Sequence, residues 1–297
     1  MKNSIISILI GVACTLATIS ITSASKDKLH PTETPPNKVK TFKIPHSLSI
    51  AKEEMPLDRT DIQESLDREI LVNAYWQSNN LLMLKRSNKW FPVIEPILRE
   101  ENIPDDFKYL ALIESGLQNV VSPAGAAGPW QIMKSTGREK GLHINNEVDE
   151  RYHMVKATRV ACSYLREAYE RFNNWTLAAA SYNMGMAGTA KQLNEQQVDN
   201  YYDLRLNNET ARYIFRIAAV KHIHENLSDY GYIYHNSEGY KLPVFDTVVV
   251  EGPVESWINW ALKHDITYKE LRWHNPWIRD DKLTNNFNKP YAILIAK

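Results

Sequence analysis

From about Asp58 to about Leu227, apolar residues return every three or four positions, with no alternating stretch among them. Ile62, Leu66, Ile70 and Leu71 form one stripe, and Trp90, Ile94 and Leu98 form another. That spacing gathers side chains on one face of an α-helix, whereas a half-buried strand needs a period of two. Short breaks at Gly, Pro and Asn divide the stretch into helix-length pieces, so a mainly α body is expected.

The chain's two ends differ from this middle. Lys2 precedes an apolar run from Ile5 to Ile21, then the small residues Thr22-Ser23-Ala24-Ser25, the pattern of a secretory signal peptide over residues 1–25. Its length lies near the short end of the roughly 17–25 residues a spanning helix needs, so membrane attachment through the N-terminus stays open beside cleavage. Cys14 lacks the leucine expected three positions earlier in a lipid-modification site. Residues 26–57, with Pro31, Pro35, Pro36, Pro45 and Pro56 among Lys and Thr, read as a tether. Cleavage after Ala24 leaves Cys162 as the only thiol, which excludes an intrachain disulfide and leaves stability to packing. Cys162 lies among Ala157, Ala161 and Leu165, as a small core residue would. With 35 basic and 35 acidic side chains, the chain shows no electrostatic footprint for nucleic acid.

One carboxylate stands out against the helical pattern. Pro104 suits the first turn of a helix, Asp105-Asp106 suit its positive end, and Gly116 offers a stop. Between these brackets Phe107, Leu110, Ala111 and Glu114 fall at i, i+3, i+4 and i+7, so Glu114 shares the core-facing stripe. Apolar neighbours and the negative end of the helix both disfavour ionisation and raise its pKa. A carboxylic acid that keeps its proton near neutral pH can protonate a departing sugar oxygen, as a glutamic acid in an apolar pocket does in lysozyme. A buried glutamate neutralised by a structural partner fits the helix equally well.

Two further segments bear on that choice. Ser122-Pro123-Ala124-Gly125-Ala126-Ala127-Gly128-Pro129-Trp130-Gln131-Ile132-Met133 has very small side chains at its centre, which allow backbone to approach a ligand closely. An ordinary compact turn with Trp130 in the core is the alternative. The run from Trp175 to Ala180 ends in Ser181-Tyr182-Asn183-Met184-Gly185, placing hydroxyl and amide groups at a helix end. Alone, that segment reads as a helix stop.

In order and spacing, these segments resemble the catalytic domain of the lytic transglycosylases, within the lysozyme-like superfamily. The resemblance rests on Glu114-Ser115 at a helix end, on Gly128-Pro129-Trp130-Gln131-Ile132-Met133, and on Ser181-Tyr182-Asn183-Met184-Gly185. A fourth element is Glu209-Thr210 followed by Tyr213. Trp130 departs from the family's methionine. The resemblance covers roughly residues 85–227 and implies a peptidoglycan glycan strand as the substrate, with Glu114 as the single catalytic acid and base. It further implies that Glu114 protonates the oxygen linking N-acetylmuramic acid to N-acetylglucosamine, and that the muramic hydroxymethyl group then closes a 1,6-anhydro ring. By the same resemblance Ser115, Ser122, Gln131, Met133, Tyr182, Asn183, Glu209 and Tyr213 contact substrate, with Ser122 near Glu114. Asp149 and Glu150 offer a second carboxylate, but their place before a helix near Tyr152 suits capping better.

Past residue 236 the pattern changes. Val244 to Val250 is rich in β-branched residues, Val254 to His264 and Thr267 to Trp273 have helical spacing, and Tyr291 to Ile295 closes the chain. Strand, helix, helix, strand is the expected order. Thr247 to Gly252, Ile266-Thr267, Leu271 and Asn275-Pro276-Trp277 resemble a LysM module, a small α+β glycan-binding domain. Trp257, Trp260, Trp273 and Trp277 are candidates for sugar stacking or for packing against the preceding domain. The expected organisation is a signal peptide over 1–25, a tether over 26–57, a lysozyme-like domain with a helical extension over 58–236, and a LysM-like module over 237–297.

No metal-ligand spacing, phosphate loop or nucleotide motif occurs, so no cofactor, metal or nucleotide is implied. The leading reading is an exported lytic transglycosylase of the cell envelope. A hydrolytic lysozyme and a non-catalytic glycan-binding scaffold are the alternatives.

Overall fold

The computed structural model describes residues 39–286 and 288–297. The expected signal peptide, Cys14 and residues 26–38 of the expected tether lie outside them. Among the described residues no helix is long and apolar enough to cross a membrane.

The folded body is mostly helical and begins earlier than the proline-rich composition suggests. Two short antiparallel strands, β1 (Ser49–Ile50) and β2 (Glu53–Glu54), come first. Leu48, Ile50, Met55 and Leu57 are buried in the main core, so the last stretch of the expected tether is part of the body. These apolar residues lie too far apart, among prolines, to show a period; only packing against distant helices buries them. Glu53 also reaches across the chain, and its carboxylate accepts the N–H groups of Trp175 (2.6 Å) and Thr176 (2.8 Å).

The helices follow as α1 (Thr60–Tyr75), α2 (Gln77–Glu100), α3 (Phe107–Ser115), α4 (Lys134–Glu139), α5 (Met154–Phe172), α6 (Trp175–Met184), α7 (Met186–Gln196) and α8 (Asn208–Glu225). α1 lies along α8, α5 packs on α2 and α6, and α3 is held between α2 and α8. Because α3 is central, its buried residues include Phe107, Tyr109, Leu110, Ala111 and Leu112, on more than one face. Gly116 ends it in the left-handed conformation (φ 60°), with its N–H on the carbonyl of Leu112. The start differs from expectation. Pro104 stands in a turn before the helix, and Asp106 makes no side-chain cap. Its carboxylate instead accepts the N–H of Ala51 (2.8 Å) and pairs with Lys221 on α8 (2.7 Å). Cys162 is fully buried, and burial pushes its thiol up to about 12.

The C-terminal segment has the expected order: β3 (Phe245–Val250), α9 (Trp257–Lys263), α10 (Tyr268–His274) and β4 (Tyr291–Ala296). β3 and β4 pair antiparallel with Val248 opposite Ile293. Its small core contains Val250, Trp257, Leu271, Trp277, Ile278, Leu283, Tyr291 and Ile293, and it is shared with Ala127, Val148 and Tyr152 of the helical part. Trp257 and Trp277 are therefore packing residues, whereas Trp273 is 69% exposed.

Candidate active site

Glu114 sits in the last turn of α3, half-buried, and its carboxylate accepts a hydrogen bond from the hydroxyl of Tyr213 on α8. No ion pair neutralises it among the described residues. Burial pushes its pKa up to about 7; the Tyr213 bond and the nearby Arg216 guanidinium oppose that rise, while Glu209 adds to it. Loss of solvent outweighs both stabilising contacts, so the group holds its proton near neutrality.

Arg216 does not close on Glu114 because other charges hold it on α8. Its Nε lies 3.9 Å from the carboxylate of Glu69, a residue 1% exposed on α1. Arg212, one turn earlier, donates to Glu69 from Nε (2.6 Å) and Nη2 (3.2 Å). The core thus contains two stripe-borne glutamates of opposite character: Glu69 is paired with arginine, and Glu114 meets a phenol. Sequence inspection passed over Glu69, Arg212 and Arg216, although Glu69 follows Ile62 by seven positions and lies on the same stripe.

The other expected site residues come from three segments around α3. Tyr182, near the end of α6, donates from its hydroxyl to the carbonyl of Trp130 (2.7 Å) and packs edge-on against Tyr164. Burial first, then the Glu114 carboxylate, raise its pKa well above the ordinary phenol value. Asn183 accepts from the hydroxyl of Thr210 (2.8 Å) and reaches Glu209 with its amide (3.5 Å), joining α6 to the start of α8. Gln131 has a positive φ of 47°, and its side-chain nitrogen donates to the carbonyls of Gly128 (2.9 Å) and Val120 (3.1 Å). Its amide oxygen remains as the end available to a ligand. Met133 is exposed just before α4.

Two of the serines expected at the substrate are bonded within the protein. Ser115 is buried, and its hydroxyl donates to the carbonyl of Pro129 (2.7 Å), tying α3 to the glycine-rich segment. Ser122 accepts the N–H of Ala126 (3.1 Å), closing a turn, and makes no hydrogen bond to Glu114. The small residues also serve another purpose than close approach of a ligand. A Cβ on Gly128 would fall 2.0 Å from the carbonyl oxygen of Arg151, so glycine is required where two strands of backbone touch. Trp130 is fully buried, with its indole N–H on Thr158 (2.8 Å).

Asp149 and Glu150 do precede a short helical turn at Glu150–Tyr152, and Asp149 accepts the N–H of Arg151 (3.1 Å) as a cap. Both are also paired. Asp149 binds the Arg151 guanidinium, and Glu150 contacts Lys156 and the N–H of His143. Two cavities are lined without Glu114: one of about 720 Å³ bordered by Phe172, Leu193 and Val198, and one of about 430 Å³ between Leu142 and Leu283. Among the described residues no group of three or more His, Cys, Asp or Glu is arranged to hold a metal ion.

Residues 91–204 match the transglycosylase SLT domain. Residues 246–297 match the LysM-like domain found at the C-terminus of soluble lytic transglycosylases. The chain is similar to membrane-bound lytic murein transglycosylase D of Escherichia coli (strain K12), 30% identical over 140 residues, and spans 31% of that protein with 45% of its own length. The same protein from Escherichia coli O6:H1 matches equally. Among solved structures, the 70 kDa soluble lytic transglycosylase of Escherichia coli superposes with a TM-score of 0.42 at 18% identity, over 58% of this chain and 34% of that one. An inactive mutant of lytic transglycosylase Slt from Pseudomonas aeruginosa gives 0.39 at 20% identity, over 46% and 24%.

Tyr213→Phe separates the opposing influences on the Glu114 proton. The phenol favours the ionised carboxylate, so its removal raises the Glu114 pKa further. The alkaline limb of the rate profile is expected to move up by on the order of one pH unit, since a hydrogen bond to a charged group is worth about 1.5–3 kcal/mol. A limb that moves down contradicts this balance.

Proposed function

We propose that the chain is a peptidoglycan lytic transglycosylase. It cleaves the β-1,4 bond between N-acetylmuramic acid and N-acetylglucosamine, leaving a 1,6-anhydromuramic acid end, with Glu114 as the single acid and base. The observation that carries this reading is a half-buried carboxyl, held near pKa 7 against a phenol and left without a cationic partner. Such a group can give a proton and take one back at neutral pH.

The sequence of transfers balances on one residue. Glu114 protonates the linking oxygen as its bond to the muramic C1 breaks. The resulting carboxylate then removes the proton from the muramic C6 hydroxyl as that oxygen bonds to C1, which restores the acid. Two-carboxylate glycosidases need a second group as nucleophile or base. Asp149 and Glu150, the second carboxylates that the sequence offers, are engaged by Arg151 and Lys156, and Glu209, whose charge reaches Glu114, meets the Asn183 amide at 3.5 Å. Gln131, Met133, Tyr182, Asn183, Glu209 and Tyr213 are assigned to the substrate side, with Ser115 and Ser122 shaping the segments that carry them.

The same reading assigns residues 58–236 to catalysis, with the folded body reaching back to Leu48, and residues 237–297 to the LysM-like module. Lys85 and Asn88 of α2 hold the joining segment at the carbonyls of Glu238 (2.8 Å) and Tyr240 (3.0 Å). Export to the cell envelope is supported by the N-terminal apolar run and by the substrate class. Mass spectrometry of fragments released from purified sacculi tests the reaction: each muramic end is expected to be lighter by one water than a hydrolysis product. Reducing muramic ends would make the enzyme a lysozyme instead. The rate should decline as pH rises through about 7, where Glu114 loses its proton. A rate that holds constant from pH 7 to well above 8 excludes Glu114 as the donor.

A further inference from the structure

The segment from His143 to Tyr152 stands between the LysM-like module and the glycine-rich segment that ends in Gln131 and Met133. Toward the module it forms a short seam. The N–H of Asp149 donates to the carbonyl of Trp277 (2.9 Å), and the N–H of Arg279 donates to the carbonyl of Glu147 (2.8 Å). The Glu147 carboxylate accepts both the N–H of Thr284 (2.8 Å) and the Thr284 hydroxyl, and Val148 forms an isolated bridge with Ile278. Apolar packing of Ala127, Val148 and Tyr152 with Trp277, Ile278 and Leu283 closes the seam.

Toward the glycine-rich segment the side-chain hydrogen bonds come from Arg151. Arg151 is 7% exposed, and its Nη1 donates to the carbonyls of both Gly125 (2.9 Å) and Ile132 (3.1 Å). Its Nε (3.0 Å) and Nη2 (2.7 Å) donate to Asp149, which is equally buried. The two carbonyls flank Gly128, whose bare Cα faces the carbonyl of Arg151 itself. A buried guanidinium is tolerable only where its charge and donors are matched, and here the match spans the loop on one side and the module's neighbour on the other.

We propose that Arg151 and Asp149 are positioning residues for the substrate loop, and that the LysM-like module acts as a clamp that holds this loop through them. The inference rests on the lytic transglycosylase reading for its kinetic consequences, but its structural core does not. The loop has few side chains of its own to fix it, and Gln131 keeps a left-handed backbone within it. Support must come from outside the loop. An aspartate that both caps a turn and orients an arginine transmits the module's position to the carbonyls beside Gln131.

Arg151→Lys and Thr284→Val, made in the full chain, test the two ends of this connection. Lysine cannot present two donors to the loop and two to Asp149 in one plane. In Arg151→Lys, amide hydrogen exchange at Ala127 and Ile132 is expected to quicken by at least about tenfold while the helical core stays protected. Turnover of soluble glycan strands should fall by at least about tenfold, with the alkaline limb unmoved because Tyr213, Arg216 and Glu209 are intact. Thr284→Val should shift the same amides in the same direction by less. Unchanged exchange at Ala127 and Ile132 in Arg151→Lys overturns the positioning role, whatever the activity. Loop exchange unaffected by Thr284→Val and by Trp277→Ala overturns the clamp. If the wild-type protein releases no anhydro ends, the functional reading fails, and the exchange measurements still decide the loop.

Discussion

Glu114→Gln is expected to reduce cleavage of purified sacculi by about 10³-fold or more, with the fold intact, because general acid–base catalysis contributes about 10²–10⁴-fold and this residue supplies both halves. The substitution also has a stability signature with a definite sign. Folding raises the Glu114 pKa from 4.5 to about 7, so the folded chain binds this proton more tightly than the unfolded one. That contribution is fully present below pH 4.5 and is lost as pH rises through about 7. Glutamine has no proton to lose. At pH 8 the variant should therefore be more stable than the wild type by at most on the order of 3 kcal/mol, with the gain vanishing near pH 4. Thermal melts at the two pH values check this. A variant that is less stable than wild type at pH 8 would contradict a raised pKa, and one that still digests sacculi at the wild-type rate would falsify the assignment of the acid.

The second large effect is expected at Glu69, outside the catalytic constellation. Glu69→Gln leaves Arg212 and Arg216 without their buried counter-charge. Breaking a buried pair costs about 3–5 kcal/mol, and since both arginines reach water the low end applies. Urea unfolding should show that loss. Arg216 is then released from Glu69, and its charge acts more strongly on Glu114. A positive neighbour favours the carboxylate, so the Glu114 pKa falls and the alkaline limb of activity moves to lower pH. Should the protein lose stability without any movement of that limb, Glu69 has no part in keeping Arg216 away from the acid.

Glu69 and Glu114 also mark where sequence inspection stops. Each sits on an apolar helical stripe, and nothing within either helix separates a neutralised glutamate from a poised one. Arg212 is 143 residues from Glu69, and Tyr213 is 99 residues from Glu114. Tyr213 and Arg212 are adjacent in the chain yet serve different carboxylates, because successive residues of a helix point about 100° apart. The glycine-rich segment illustrates the same limit. Its small residues were legible, but their purpose depends on the Arg151 carbonyl at Gly128, which no local pattern announces.

What the chain determined by itself was local: the helical period, the seat of Glu114 on its stripe, the glycine that ends α3, and the strand-helix-helix-strand order of the last sixty or so residues. Each depends on neighbours within a turn or two, where spacing and backbone preference suffice. The tertiary structure decided which carboxylate keeps its proton, that Ser115 braces a loop, that residues 48–57 enter the core, and that the C-terminal module packs against Ala127 and Tyr152. Burial and charge pairing are properties of three-dimensional surroundings, and residues far apart in the chain supply those surroundings.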